Sequence, residues 1–167
     1  MSNSLVLRFP RAIVDRLERE ARKLGVSLEE YVLELMLRDL DPPERAKEYL
    51  EASKELLEQA REELDKGDIR QVAEKAWGAA ALAVKAYAEW SEARRLSSHG
   101  ELWEYKRKME RDLGEWVGDA WAQATSMHVC FYEGWCNGDD VKRAIMWIDK
   151  LVEGVMKKVL SGSGRGG

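Results

Sequence analysis

From Pro43 to Leu160 the apolar residues recur at three- and four-residue steps, the period of an amphipathic helix rather than the alternation of a strand. Over the first part of this stretch Ala46, Tyr49, Leu50, Ser53, Leu56, Leu57, Ala60 and Leu64 share one face. Lys66-Gly67-Asp68 then interrupts the pattern. Gly67 suits the left-handed position after a helix, and Asp68 with Gln71 three residues on reads as a capping box. The helix that follows, to about Trp90, is so rich in alanine that its neighbours must approach closely. The two together predict an antiparallel helical hairpin.

Arg94–Ser98 reads as a loop. Ser98 and Glu101 cap a helix carrying Leu102, Trp103, Met109 and Leu113, which Gly114 interrupts. The next helix is predicted to turn Trp116, Val117, Ala120, Trp121, Ala124, Met127, His128, Phe131 and Trp135 inward. Asn137-Gly138-Asp139-Asp140 opens a last helix with a seam of Val141, Ile145, Ile148, Val152, Val155 and Val159. Residues 161–167 are glycine- and serine-rich and are expected to be a disordered tail.

Alternation occurs once. In residues 4–9, Leu5, Leu7 and Phe9 fall on one face and Ser4, Val6 and Arg8 on the other, which predicts a short strand. Pro10 ends it. A helix over about 11–24 follows, with Ile13, Val14, Leu17, Ala21 and Leu24 on its apolar face, and Gly25 ends that helix. Ser27 and Glu30 cap another, expected to reach about Asp39 and to bury Tyr31, Val32, Leu35 and Met36. Asp41-Pro42-Pro43 is a hard stop. The predicted fold is therefore all-α apart from one strand. Residues 1–41 form a strand and two helices, and residues 42–160 an up-and-down bundle of four to five helices. A lone strand with an apolar face has no partner in its own chain, so a homodimer or higher homo-oligomer is expected.

Composition narrows the function classes. The net charge of −4 argues against wholesale coating of nucleic acid, which rests on neutralising phosphates. No apolar run approaches the roughly 20 residues that span a membrane. Ser2–Phe9 is too short and polar for a signal peptide, so a soluble cytoplasmic protein with no membrane partner is expected. Charged residues make up 35% of the chain against three Gln and two Asn, a bias resembling a thermophile's surface. Cys130 and Cys136 are too few for a disulfide framework or a zinc site and are expected as reduced thiols. Most of the tryptophans, Trp77, Trp103, Trp116, Trp121 and Trp147, are expected in the core, with Trp90 and Trp135 at a groove or dimer contact. With no glycine-rich phosphate loop, carboxylate dyad, His/Cys cluster or nucleophile elbow, neither cofactor nor metal is expected.

Two resemblances add to this reading. The hairpin pattern ending in K-A-W-G-A-A-A-L-A-V-K-A, the S-H-G-E-L-W segment at Ser98–Trp103, and H-V-C-F-Y-E-G-W at His128–Trp135 resemble a HEPN-type bundle (higher eukaryotes and prokaryotes nucleotide-binding). They resemble more closely its archaeal PaREP branch. That resemblance implies a bundle of four to five helices, often dimeric. Residues 4–40, with L-R-F-P-R-A-I-V-D-R-L-E-R-E-A-R-K-L-G-V-S-L-E-E-Y-V, resemble a ribbon-helix-helix unit of the Arc/MetJ/CopG kind. It implies dimerisation through paired strands, whose outward side chains can read the major groove. Ser4 and Arg8 are the nucleic-acid-binding candidates. Residues 1–41 carry 7 Lys and Arg against 8 Asp and Glu, so the unit is not basic.

HEPN ribonucleases use an Arg-x(4–6)-His motif in which the pair positions a 2′-hydroxyl and takes its proton. His128 stands in the matching place, but positions 121–123 hold Trp121, Ala122 and Gln123, so the motif is broken. His128 shares a face with Trp121, Ala124, Tyr132 and Trp135, and reads as a structural histidine with Tyr132 in reach. Arg94 and His99 satisfy the spacing, but in the loop after the hairpin, where His99 reads as the first residue of a capped helix. His128, Tyr132, His99 and Arg94 are the catalytic candidates. The reading preferred from sequence is a non-enzymatic binding or assembly protein. The alternatives are a toxin-type ribonuclease using His128 or His99, and a ribbon-helix-helix DNA-binding regulator.

Overall fold

A computed structural model describes residues 5–161, and among them it contains seven helices. The chain divides into two compact units, Met1–Leu40 and Asp41–Gly167.

The first unit holds α1 (Arg11–Leu24) and α2 (Leu28–Leu37). Pro10 opens α1 with its carbonyl, which accepts from the amides of Ile13 and Val14. Ser27 caps α2, its hydroxyl accepting from the Glu30 amide at 3.1 Å. The strand predicted over residues 4–9 is not formed. Residues 5–10 lie outside any helix or strand and are exposed, and Ser4 falls outside the described residues. The reason is that a strand exists only as part of a ladder, and no described segment pairs with this one. The expected burial is also corrected. Ala21 and Leu37 are buried, Val14, Leu17, Tyr31, Val32 and Leu35 only half so, and Ile13, Leu24 and Met36 are exposed. Two helices of 14 and 10 residues cannot enclose a core of their own.

The second unit contains α3 (Pro42–Lys66), α4 (Ile69–Glu92), α5 (His99–Leu113), α6 (Trp116–Glu133) and α7 (Gly138–Leu160). The hairpin of α3 and α4 turns at Gly67, whose φ of +80° a side chain would strain. The Gly67 and Asp68 amides close the end of α3 on the carbonyls of Leu64 and Glu63. The Asp68 carboxylate accepts from the Gln71 amide at 3.2 Å and starts α4. α4 is the axis of the unit and packs against the other four helices. Every residue from Ala79 to Glu89 on it is buried. Alanine makes this possible: helices can surround a rod of small side chains on all sides only by coming close. Ser53 on α3 comes near enough to donate its hydroxyl to the Ala79 carbonyl at 2.6 Å.

The buried stretch of α4 also carries charge. Glu89 is 1% exposed and accepts from Arg45 Nη1 at 2.9 Å, while its second oxygen has no partner. Lys85, one turn earlier, is 4% exposed. Nothing in the amphipathic pattern predicted these groups inside. Trp121 and Trp77 are buried as expected, but Trp103 is exposed and Trp116 and Trp147 are half-buried. α6 stops at Glu133, so Trp135 is exposed rather than inward. The expected disordered tail lies outside the described residues except for Ser161, which follows α7 in a turn.

The cysteines correct a further expectation. Cys130, buried in the last turn of α6, is bonded to Cys136 as a disulfide, with Cα atoms 5.8 Å apart. Gly134 makes the approach possible. At φ +70° it caps α6, its amide donating to the Cys130 carbonyl at 2.7 Å, and it folds the chain back. The expectation of free thiols rested on how rarely cytosolic proteins keep disulfides, a statistical argument that takes no account of the turn bringing Cys136 back onto the end of α6.

Candidate functional site: a histidine pair on a tryptophan

The only two histidines of the chain meet. His99 is the first residue of α5, and the loop before it is held firmly. The Ser98 hydroxyl accepts from the Glu101 amide at 3.2 Å, and Glu101 Oε2 accepts from the amides of Ser97 and Ser98 at 2.6 and 3.0 Å. This is the capping box predicted from Ser98 and Glu101. The hydrogen bond from the Ser97 amide, joined by those from the Ser97 hydroxyl and the Ser98 amide, holds the Glu101 carboxyl below its usual range.

His128 comes from the fourth turn of α6 and Trp77 from the third turn of α4. The Trp77 and His99 rings are parallel within 10° with centroids 5.0 Å apart. His128 lies 4.7 Å from both, tilted 42° to Trp77 and 43° to His99. The three centroids therefore form a nearly equilateral triangle, and His128 packs against both rings at once. The aromatic contacts continue in both directions. Trp121 touches Trp77 at 5.3 Å and takes Trp103 edge-on at 6.0 Å. Tyr132 meets His128 edge-on at 5.2 Å, and Phe131 follows at 5.1 Å. A cation caps each end. Lys106 lies over Trp103, and Arg70 lies over Phe131 while donating Nε–H to the Phe131 carbonyl at 2.8 Å. His99 and Tyr132 are exposed, His128 is half-buried, and the Trp121 indole N–H is buried without an acceptor.

Of the catalytic candidates, then, His99, His128 and Tyr132 come together. Arg94 lies instead over the Tyr105 ring, at 5.7 Å. It is not among the described ring contacts of either histidine. Of the nucleic-acid candidates, Arg8 is exposed in the segment before α1, and Ser4 falls outside the described residues.

Sequence reasoning passed over a second cluster, between the C-terminal end of α4 and α5. Tyr87 donates to Asp112 at 3.0 Å, Lys108 donates to Asp112 at 2.8 Å and stands 3.6 Å from Glu92, and the Ser91 and Tyr105 hydroxyls are 2.5 Å apart. Burial, helped by the bond to Asp112, pushes the Tyr87 hydroxyl well above its ordinary value. Burial likewise raises Tyr105. For Asp112 burial alone would raise the carboxyl, but the hydrogen bonds from Lys108 and Tyr87 outweigh it and leave the group below its ordinary value. The cluster clasps two helices. No described group of three or more His, Cys, Asp or Glu converges in a way that could hold a metal ion.

The profile of the archaeal PaREP1/PaREP8 family matches residues 48–152. The chain belongs to that family. No curated protein and no solved structure matches it. The region matched in this PaREP1/PaREP8 protein runs from α3 into α7, and so includes the histidine pair, its aromatic neighbours and both cysteines. The first unit lies outside it. No described helix of the PaREP1/PaREP8 chain is long and apolar enough to cross a membrane.

Proposed function

We propose that this PaREP1/PaREP8 protein is a non-enzymatic binding or assembly protein that works as a homodimer, with a HEPN-like bundle and a ribbon-helix-helix-like unit that joins two copies. The observation that carries this reading is the exposure of Leu5, Leu7 and Phe9, at 81%, 65% and 54%. Ile13 and Met36 are exposed in the same unit, at 46% and 74%. Burying each such side chain is worth about 1.5–3 kcal/mol. Two copies pairing these segments antiparallel would bury them and satisfy the backbone as well. Light scattering on the full chain tests it. The expected result is a dimer at micromolar concentration that the triple variant Leu5→Ser, Leu7→Ser, Phe9→Ser converts to a folded monomer. A monomeric parent chain would defeat the reading.

One observation favours a second reading, a toxin-type ribonuclease. The ring centroids of His99 and His128 lie 4.7 Å apart, and in this reading one imidazole would take a 2′-hydroxyl proton and the other return one to the leaving oxygen. Against it stands the broken Arg-x(4–6)-His pattern. Incubation with mixed RNA separates the two readings, since cleavage lost on His128→Ala supports the nuclease and no cleavage supports the binding protein.

A further inference from the structure

We propose that Cys130 and Cys136 are a reversible redox couple, opened by a dithiol reductant through Cys136 and closed again without unfolding, whose state sets how Tyr132 and Trp135 are presented beside the histidine pair. The two Cα atoms stand 5.8 Å apart, within the usual span of a disulfide. That spacing does not rest on the bond alone. The Gly134 amide closes the last turn of α6 on the Cys130 carbonyl, and Arg70 holds the next carbonyl, that of Phe131. On the other side, Asn137 and Asp140 form the capping box that fixes the start of α7, one residue beyond Cys136. Breaking the bond leaves these ties in place and the two sulfurs near each other, so the couple can close again.

A disulfide acts as a staple chiefly where it closes a long loop, because its stabilisation grows with loop length. This one joins residues six apart, between helix ends that are already tied. What it constrains is therefore local. Gly134, Trp135 and Cys136 lie between α6 and α7 and belong to neither helix. Tyr132 and Trp135, both inside the closed loop, are exposed, and Tyr132 meets His128 edge-on at 5.2 Å. Opening the loop frees this segment and so reaches the aromatic row at its Tyr132 end.

The chemistry is thiol–disulfide exchange. Cys130 is buried and Cys136 half-buried, so the sulfur that a donor thiolate can approach is that of Cys136. A bond forms between the donor sulfur and Cys136, the Cys130–Cys136 bond breaks, and its electron pair leaves on Cys130, which takes a proton. The donor's second thiolate then attacks the donor sulfur of the mixed disulfide and releases Cys136, which is protonated in turn. Two electrons and two protons pass to the protein, and the donor departs as its own disulfide. The couple goes beyond both readings above and needs neither.

The test uses the full chain in graded mixtures of reduced and oxidised dithiothreitol. Free thiols are counted by alkylation and mass spectrometry, while far-UV circular dichroism and NMR of indole and imidazole signals follow the structure. The expected result is one reversible transition between no free thiols and two, with helicity retained. The Trp135 and His128 signals should move with it, while that of Trp116, at the other end of α6, stays still. Cys136→Ser should give the reduced spectrum with or without dithiothreitol. Its remaining Cys130 thiol should react with an aromatic disulfide reagent at least about tenfold more slowly than Cys136 does in Cys130→Ser. Two free thiols in the fully oxidised mixture would overturn the proposal. So would helices that melt on reduction, Trp135 and His128 signals that ignore it, or a Cys130 that reacts as fast as Cys136.

Discussion

Arg45→Met should be among the most damaging single substitutions in the second unit. It leaves Glu89 in place, 1% exposed on a helix that other helices surround, with one oxygen already unpartnered. Arg45 is itself only 12% exposed, so water does not take over its role. Removing one partner of a buried ion pair costs about 3–5 kcal/mol, because the remaining charge has neither solvent nor counter-charge. For a unit of this size that corresponds to a fall in Tm of roughly 10–20 °C. Replacing both partners is a different matter. Arg45→Met with Glu89→Leu removes the desolvated charge and fills the volume with apolar atoms, and should return stability to within about 1–2 kcal/mol of the parent. Thermal and urea melts followed by far-UV circular dichroism give all three values. If Arg45→Met melts with the parent, another group carries the charge of Glu89, and Lys85 one turn away on α4 is the first to replace. If the double variant is as unstable as the single, the loss lies in packing and not in the orphaned carboxylate.

Three further outcomes follow from the same structure. Replacing Cys130 and Cys136 together by serine should cost about 2 kcal/mol, the chain-entropy value for so short a loop, and dithiothreitol should shift the parent's melt to the same position. Ala80→Leu should destabilise by about 1–3 kcal/mol in urea melts, because Ala80 is fully buried on the most enclosed stretch of α4 and three added carbons have no space; an unchanged melt would mean that α4 is not close-packed there. Asp112 has its folded-state pKa below the ordinary 3.8, so its contribution is fully present above that value and is lost as pH falls through the lower folded one; the stability gap between the parent and Asp112→Asn should be flat at neutral pH and close only in strong acid.

Short-range signals made the helices legible. Pro10, Ser27, Gly67, Asp68, Ser98 and Asn137 mark ends by chemistry that acts within about four residues, and each stands at a helix end in the structure. The alanine run of α4 told in advance that neighbours would crowd it. The apolar faces of α1 and α2 were also legible, but not how far they are covered, since burial is decided by what packs against a face and not by the face. The same limit explains the strand predicted at residues 4–9: alternation marks which side chains could share a surface, and only a second segment makes a ladder.

What tertiary structure decided was contact between residues that local rules do not connect. His99 and His128 lie on different helices, and nothing in their spacing says that α5 begins where α6 passes Trp77. Arg45 and Glu89 stand 44 residues apart, each looking in isolation like an ordinary solvated charge. Even Cys130 and Cys136, close in sequence, meet only because the left-handed turn at Gly134 reverses the chain. Helix ends and periodicity follow from the chain's own dihedral preferences and nearest hydrogen bonds, whereas sites follow from where the packing of α4 against its neighbours sets those helices down.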